Sequence, residues 1–100
     1  MINDMMEQLN SMKDKMDEAK TKLDNVIVEG ESGSGAVKVQ VTGNRVVKNI
    51  SIDPMLFDTD KEEIEDLLTI ALNRALEKAE RVHELEMQNS ARMVIPGLSF

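Results

Sequence analysis

The chain is predicted to be an α+β domain: a long N-terminal helix, a three-stranded antiparallel meander and a long C-terminal helix. Three observations predict it. Residues 3–25 and 60–91 are heavily charged and carry apolar residues at helical spacing. Between them the period changes to two, with Val37, Val39 and Val41 alternating with Lys38 and Gln40. Turn chemistry at Gly33-Ser34-Gly35 and Gly43-Asn44 then cuts residues 26–53 into three strands, because glycine and asparagine accept positive φ. With 100 residues the chain is expected to form one domain, residues 1–92, followed by a tail, 93–100.

The first helix, 3–25, is marked by Ile2, Met5, Leu9, Met12, Met16, Ala19, Leu23 and Val26, a seam in steps of three and four. Methionine fills much of it, which suits adaptable packing. With Ile2 as heptad position a, Lys13 and Lys20 fall at e and Lys15 and Lys22 at g, while the carboxylates face away. A parallel in-register pair of such helices would set lysine against lysine, so the helix is expected to pack on an acidic helix instead.

Residues 26–32 read as an irregular first strand and 36–42 as the second. In the third, Val46, Ile50 and Ile52 are expected to share a face with Lys48, and Arg45 and Val47 to point the other way. Asp53-Pro54 reads as the turn that ends the sheet. The second helix is expected to begin near Thr59 or Asp60, since Thr59 with Glu62 and Asp60 with Glu63 both fit a capping box. Its apolar face, Ile64, Leu67, Leu68, Ala71, Leu72, Ala75, Leu76, Ala79, Val82 and Leu85, is wider than one small sheet needs. That predicts further contact with the first helix or a second subunit. The tail holds Pro96-Gly97 and is either disordered or docked through Val94, Ile95, Leu98 and Phe100.

Composition narrows the function. The formal net charge is −7, yet residues 33–52 carry only Lys38, Arg45 and Lys48, so net charge alone does not decide the partner. Without cysteine there is no disulfide framework and no thiolate metal site. Asp4 and Glu7 stand where a signal peptide needs basic and then apolar residues, and no apolar run reaches the roughly 18 residues of a membrane span. A soluble intracellular protein is expected, with no membrane partner and no small-molecule substrate.

Two sets of cations are candidates for a phosphate backbone. Lys13, Lys15, Lys20 and Lys22 flank the seam, and Arg74, Lys78 and Arg81 follow one edge of the second helix at i, i+4 and i+7. The structural alternative is pairing: the lysines with the second helix, the second row with Glu77, Glu80 or carboxylates of the first helix. Lys38, Arg45 and Lys48 read as charges that guard sheet edges, with peripheral binding contacts as the alternative. Gly33-Ser34-Gly35 leads into a strand rather than a helix, which makes it a hairpin turn and not a phosphate cradle. His83 has no Cys, Ser or carboxylate pair beside it in the pattern, and no nucleophile, base or metal-ligand set emerges. No enzyme and no cofactor are expected. The absence of Trp and Tyr removes base stacking as a main binding mode, so any nucleic acid bound should be a duplex held by its phosphates.

In order along the chain, Gly33-Ser34-Gly35-Ala36-Val37-Lys38-Val39, Gly43, Ile50-Ser51-Ile52-Asp53-Pro54 and Glu65-Asp66-Leu67-Leu68 through Ala71-Leu72-Asn73-Arg74-Ala75 resemble the YbaB/EbfC family of bacterial nucleoid-associated proteins. The Met-rich first helix and the Pro96-Gly97 tail fit as well. The resemblance implies a homodimer joined through its central region, with helices projecting like tweezers. It implies binding of double-stranded DNA with low sequence preference, a nucleoid role in the cytoplasm, and no catalysis or cofactor. The chain lacks the Gly/Lys-rich lead often seen before the family's first helix. The alternative, favoured by the −7 charge, is an acidic protein-interaction or assembly module whose DNA binding is weak or absent.

Overall fold

Gly30 fixes how the sheet and the second helix meet. A Cβ at this position would overlap the carbonyl oxygen of Ala71 and the amide nitrogen of Ala75, and would lie 2.9 Å from the Ala75 Cα. Strand backbone therefore rests directly on helix backbone. The computed structural model describes residues 2–94, and side chains over 4–90. The elements are α1 (Ile2–Asp24), β1 (Ile27–Ser32), β2 (Val37–Thr42), β3 (Val47–Ile52), a 3-10 turn (Pro54–Asp58) and α2 (Lys61–Val94).

The strands form one antiparallel sheet in the order β1-β2-β3, the predicted meander. The alternation in β2 puts Val37, Val39 and Val41 on one face, each fully buried. They meet Ala71, Ala75 and Ala79, one turn apart on α2 and equally buried. Alanine is what lets the helix sit this low. Leu67, Leu68, Leu72 and Leu76 fill the margins of the same core. The buried Ser32 hydroxyl donates to the Leu67 carbonyl, which ties the end of β1 to α2.

A bulge changes the reading of β3. Gln40 stands opposite Asn49 and Val41 opposite Val47, so Lys48 is the extra residue. The expected alternation through Val46 and Lys48 is broken there. Val47, expected on the other face, stands opposite the core residue Val41 and so joins Ile50 and Ile52 on the α2 side of the sheet. α2 covers β1 and β2 but leaves β3 largely bare. Val47 and Ile50 are each 45 % exposed.

The two helices pack antiparallel. The Lys22 ammonium lies 3.3 Å from a Glu86 carboxylate oxygen, and Lys15, Ala19 and Ser90 line one crevice further along. Among the described residues, only the C-terminal end of the α1 seam is fully covered. Ala19 and Leu23 are buried, whereas Met5, Met6, Leu9 and Met16 are exposed. The molecule is long as a result: its radius of gyration is 19.0 Å, against about 13 Å for a compact chain of this length.

Local chemistry gives the detail at three joints, of which the first two fall where expected and the third differs. Asp53 caps the 3-10 turn by accepting from the Met55 amide, so the end of the sheet is a helical turn. Of the two expected starts of α2, Thr59 instead donates its hydroxyl to the Leu56 carbonyl, at 2.6 Å, while the Asp60 carbonyl accepts the first helical amides, of Glu63 and Ile64. α2 runs to Val94, beyond the expected end at residue 91. The docking expected of Ile95, Leu98 and Phe100 lies outside the described residues.

Candidate nucleic-acid interface

The cations of α1 fall into two groups. Lys22 pairs with Glu86 across the helices, as the structural alternative expected, whereas Lys15 pairs with Glu18 within α1 rather than with the second helix. Both are surface pairs, each worth about 1 kcal/mol or less. Lys13 and Lys20 are exposed and form no ion pair among the described residues. They lie seven residues apart, about 10 Å along the axis, on one face of the helix.

On α2 the pairing differs from both alternatives drawn from sequence. The Arg74 guanidinium donates to the Glu31 carbonyl at 2.8 Å, and the Lys78 ammonium to the Glu29 carbonyl at 2.7 Å. Both acceptors are main-chain oxygens of β1, an edge strand. The two cations thus satisfy carbonyls that would otherwise be open to another strand. Arg74 keeps further N–H donors in solvent. Arg81 is exposed and makes no hydrogen bond or ion pair to a described residue.

The charges of the meander separate as well. Lys38 is on β2, the central strand, so it guards no edge; it stands opposite Glu31 of β1. Lys48 occupies the β3 bulge and Arg45 the turn between β2 and β3, both exposed. His83 is half-buried on α2. Among the described residues no group of three or more His, Cys, Asp or Glu side chains is placed to hold a metal ion. Among the described residues no helix is long and apolar enough to cross a membrane.

The YbaB/EbfC DNA-binding family matches residues 1–93. The chain belongs to this family. A nucleoid-associated protein of Flavobacterium johnsoniae is 43% identical over 94 residues, covering 94% of this chain and 88% of the relative. An uncharacterized Helicobacter pylori protein, known from a crystal structure, superposes with a TM-score of 0.65 at 28% identity. That match covers 85% of this chain and 96% of the other. The α-β-β-β-α order and the DNA-binding family read from the sequence are thereby shown. YbaB/EbfC membership makes DNA the reference partner against which each cation is weighed.

Proposed function

We propose that this chain is a nucleoid-associated protein of the bacterial cytoplasm that binds double-stranded DNA through phosphate contacts, as a homodimer, with little sequence preference. The observation that carries the reading is the match to a DNA-binding family over residues 1–93. The naming of the Flavobacterium johnsoniae relative supports the nucleoid role. Phosphate binding fits the chemistry: there is no Trp or Tyr to stack bases, and the free cations are long, flexible side chains on exposed helix faces.

Lys13 and Lys20 are the primary contacts, because no carboxylate among the described residues holds them. Lys15 and Lys22 contribute less, each sharing its charge with a glutamate. Arg74, Lys78 and Arg81 form a second row, in which Arg74 and Lys78 also hold β1. The test is binding to two duplexes of unrelated sequence at low salt. Wild-type protein is expected to shift both at micromolar concentration with similar affinity. Lys13→Glu with Lys20→Glu should weaken both alike, with the folding midpoint unchanged. No shift of either duplex by wild-type protein would remove the reading.

The homodimer is supported by what a single chain leaves bare. It exposes 7309 Å², where a compact monomer of its mass exposes about 5,700 Å². Val47, Ile50 and Ile52 continue the core face of the sheet past the edge of α2. A second copy closing this trough would join the chains at the meander and leave the helix ends projecting.

A second reading, an acidic interaction module, is favoured by one observation. Met55 and Phe57 are 78 % and 67 % exposed, beside Asp58, Asp60, Glu62 and Glu63 at the start of α2. An apolar knob among carboxylates suits a basic protein partner. Capture of such a partner from lysate that survives nuclease treatment would favour this reading; capture lost with nuclease favours DNA.

A further inference from the structure

The turn between β2 and β3 places its residues against expectation. Gly43 and Asn44 would ordinarily supply the positive φ, yet the left-handed residue is Arg45, at φ 65°. Thr42 donates its amide to the Val46 carbonyl at 2.8 Å and accepts the Arg45 amide at its own carbonyl at 2.9 Å, closing a three-residue loop. In such loops the left-handed position is the place for glycine. The chain has spent its glycine and asparagine elsewhere. A Cβ on Gly43 would lie 2.7 Å from the Leu23 Cδ2, so glycine is needed there for space. The Asn44 amide donates to the Lys20 carbonyl at 2.9 Å and to the Asp24 carboxylate. Further bonds, from the Gly43 amide to the Leu23 and Val26 carbonyls and from the Asn44 and Val46 amides to the Thr42 hydroxyl, fix the loop. Its conformation is imposed by its surroundings, and Arg45 bears the backbone strain.

An arginine serves the backbone badly at this point, and no packing role offsets that: Arg45 is exposed and has no ion pair among the described residues. Its position explains the choice. The loop is pinned to the last turns of α1 beside Lys20. At helical spacing, Lys13, Asp17, Lys20 and Asp24 share one face, two cations against two carboxylates. The lysines alone leave that face neutral. Arg45, delivered to its end by a rigid loop, makes it cationic. Among the described residues the only other non-glycine residue with positive φ, Ser34, is uncharged and lies between two glycines.

We infer that Arg45 is a DNA-phosphate contact, held at a strained turn so that its guanidinium extends the Lys13–Lys20 row. The inference rests on the duplex-binding reading above and adds a residue to it. It makes stability and affinity move in opposite directions, which neither a structural role nor a solubility role does. Arg45→Asn removes the charge and suits the left-handed backbone. It should raise the melting temperature by about 4 °C or more. It should also weaken binding to a mixed-sequence duplex several-fold and flatten log K against log salt by about one per subunit. Arg45→Lys keeps the charge and the strain, and should keep the wild-type slope and melting temperature. An Arg45→Asn protein with wild-type affinity and slope, measured beside a wild-type protein that binds, overturns the inference alone. A wild-type protein that ignores the duplex at low salt removes the reading beneath it, and the inference with it.

Discussion

Gly30→Ala is expected to destabilise the fold by about 3 kcal/mol or more, a large effect for a single added methyl group. The cause is what the methyl would meet. Its neighbours are the Ala71 carbonyl oxygen and the Ala75 amide nitrogen, which belong to helix backbone and cannot rotate aside. α2 would have to lift away from β1. That lift would open space between Ala71, Ala75, Ala79 and the three buried valines of β2, so overpacking at one point becomes loss of contact along the whole interface. Ala75→Gly should not rescue the variant, because the obstructing atoms remain. Denaturant titration of the variant checks this, and a midpoint close to wild type would show that the two backbones are not in contact.

The second large effect is expected at β3. Ile50 stands opposite Val39 on the core face of the sheet, yet it is 45 % exposed in the single chain. In an isolated subunit Ile50→Asp would place a carboxylate largely in water, at modest cost. In a dimer closed over this trough, the same carboxylate would be buried without a partner, which is prohibitive. The variant is expected to sediment as a folded monomer while wild-type protein sediments as a dimer. Its duplex affinity should fall by about a hundredfold, because two linked sets of cations become one. A variant that remains dimeric would place the interface elsewhere, and a monomeric wild-type protein would contradict the dimer.

Much of the fold is legible in the sequence because its main elements rest on period alone. Val37, Val39 and Val41 can only alternate, and Ala71, Ala75 and Ala79 can only form one helical face. What period cannot carry is an interruption. The bulge at Lys48 turns Val47 inward, and no residue type announces it. The α1 seam shows a related limit: its apolar spacing runs from Ile2 to Val26, but Ala19 and Leu23 are buried while Met5 and Leu9 stay open. Spacing reports which residues share a face, not whether anything covers it.

The candidate interface was legible as a set of cations, but their employment was not. Arg74 and Lys78 bond to carbonyls of β1, acceptors that every residue possesses and no side-chain pattern displays. What sets Arg45 apart from Lys38 and Lys48 was hidden for a related reason. Gly43 and Asn44 look like the turn, and only their contacts with Leu23 and Lys20 force positive φ onto the arginine. Tertiary packing decided in both cases.

The central claim is that an acidic chain binds duplex DNA by local neutralisation of phosphates. The most direct test is the affinity of wild-type protein for one mixed-sequence duplex across a range of salt concentrations. With Lys13 and Lys20 engaged on both subunits of a dimer, log K should fall linearly with log salt at a slope of about −4, and more steeply if Arg45 takes part. Binding that is undetectable at low salt, or that holds its strength as salt rises, would contradict it.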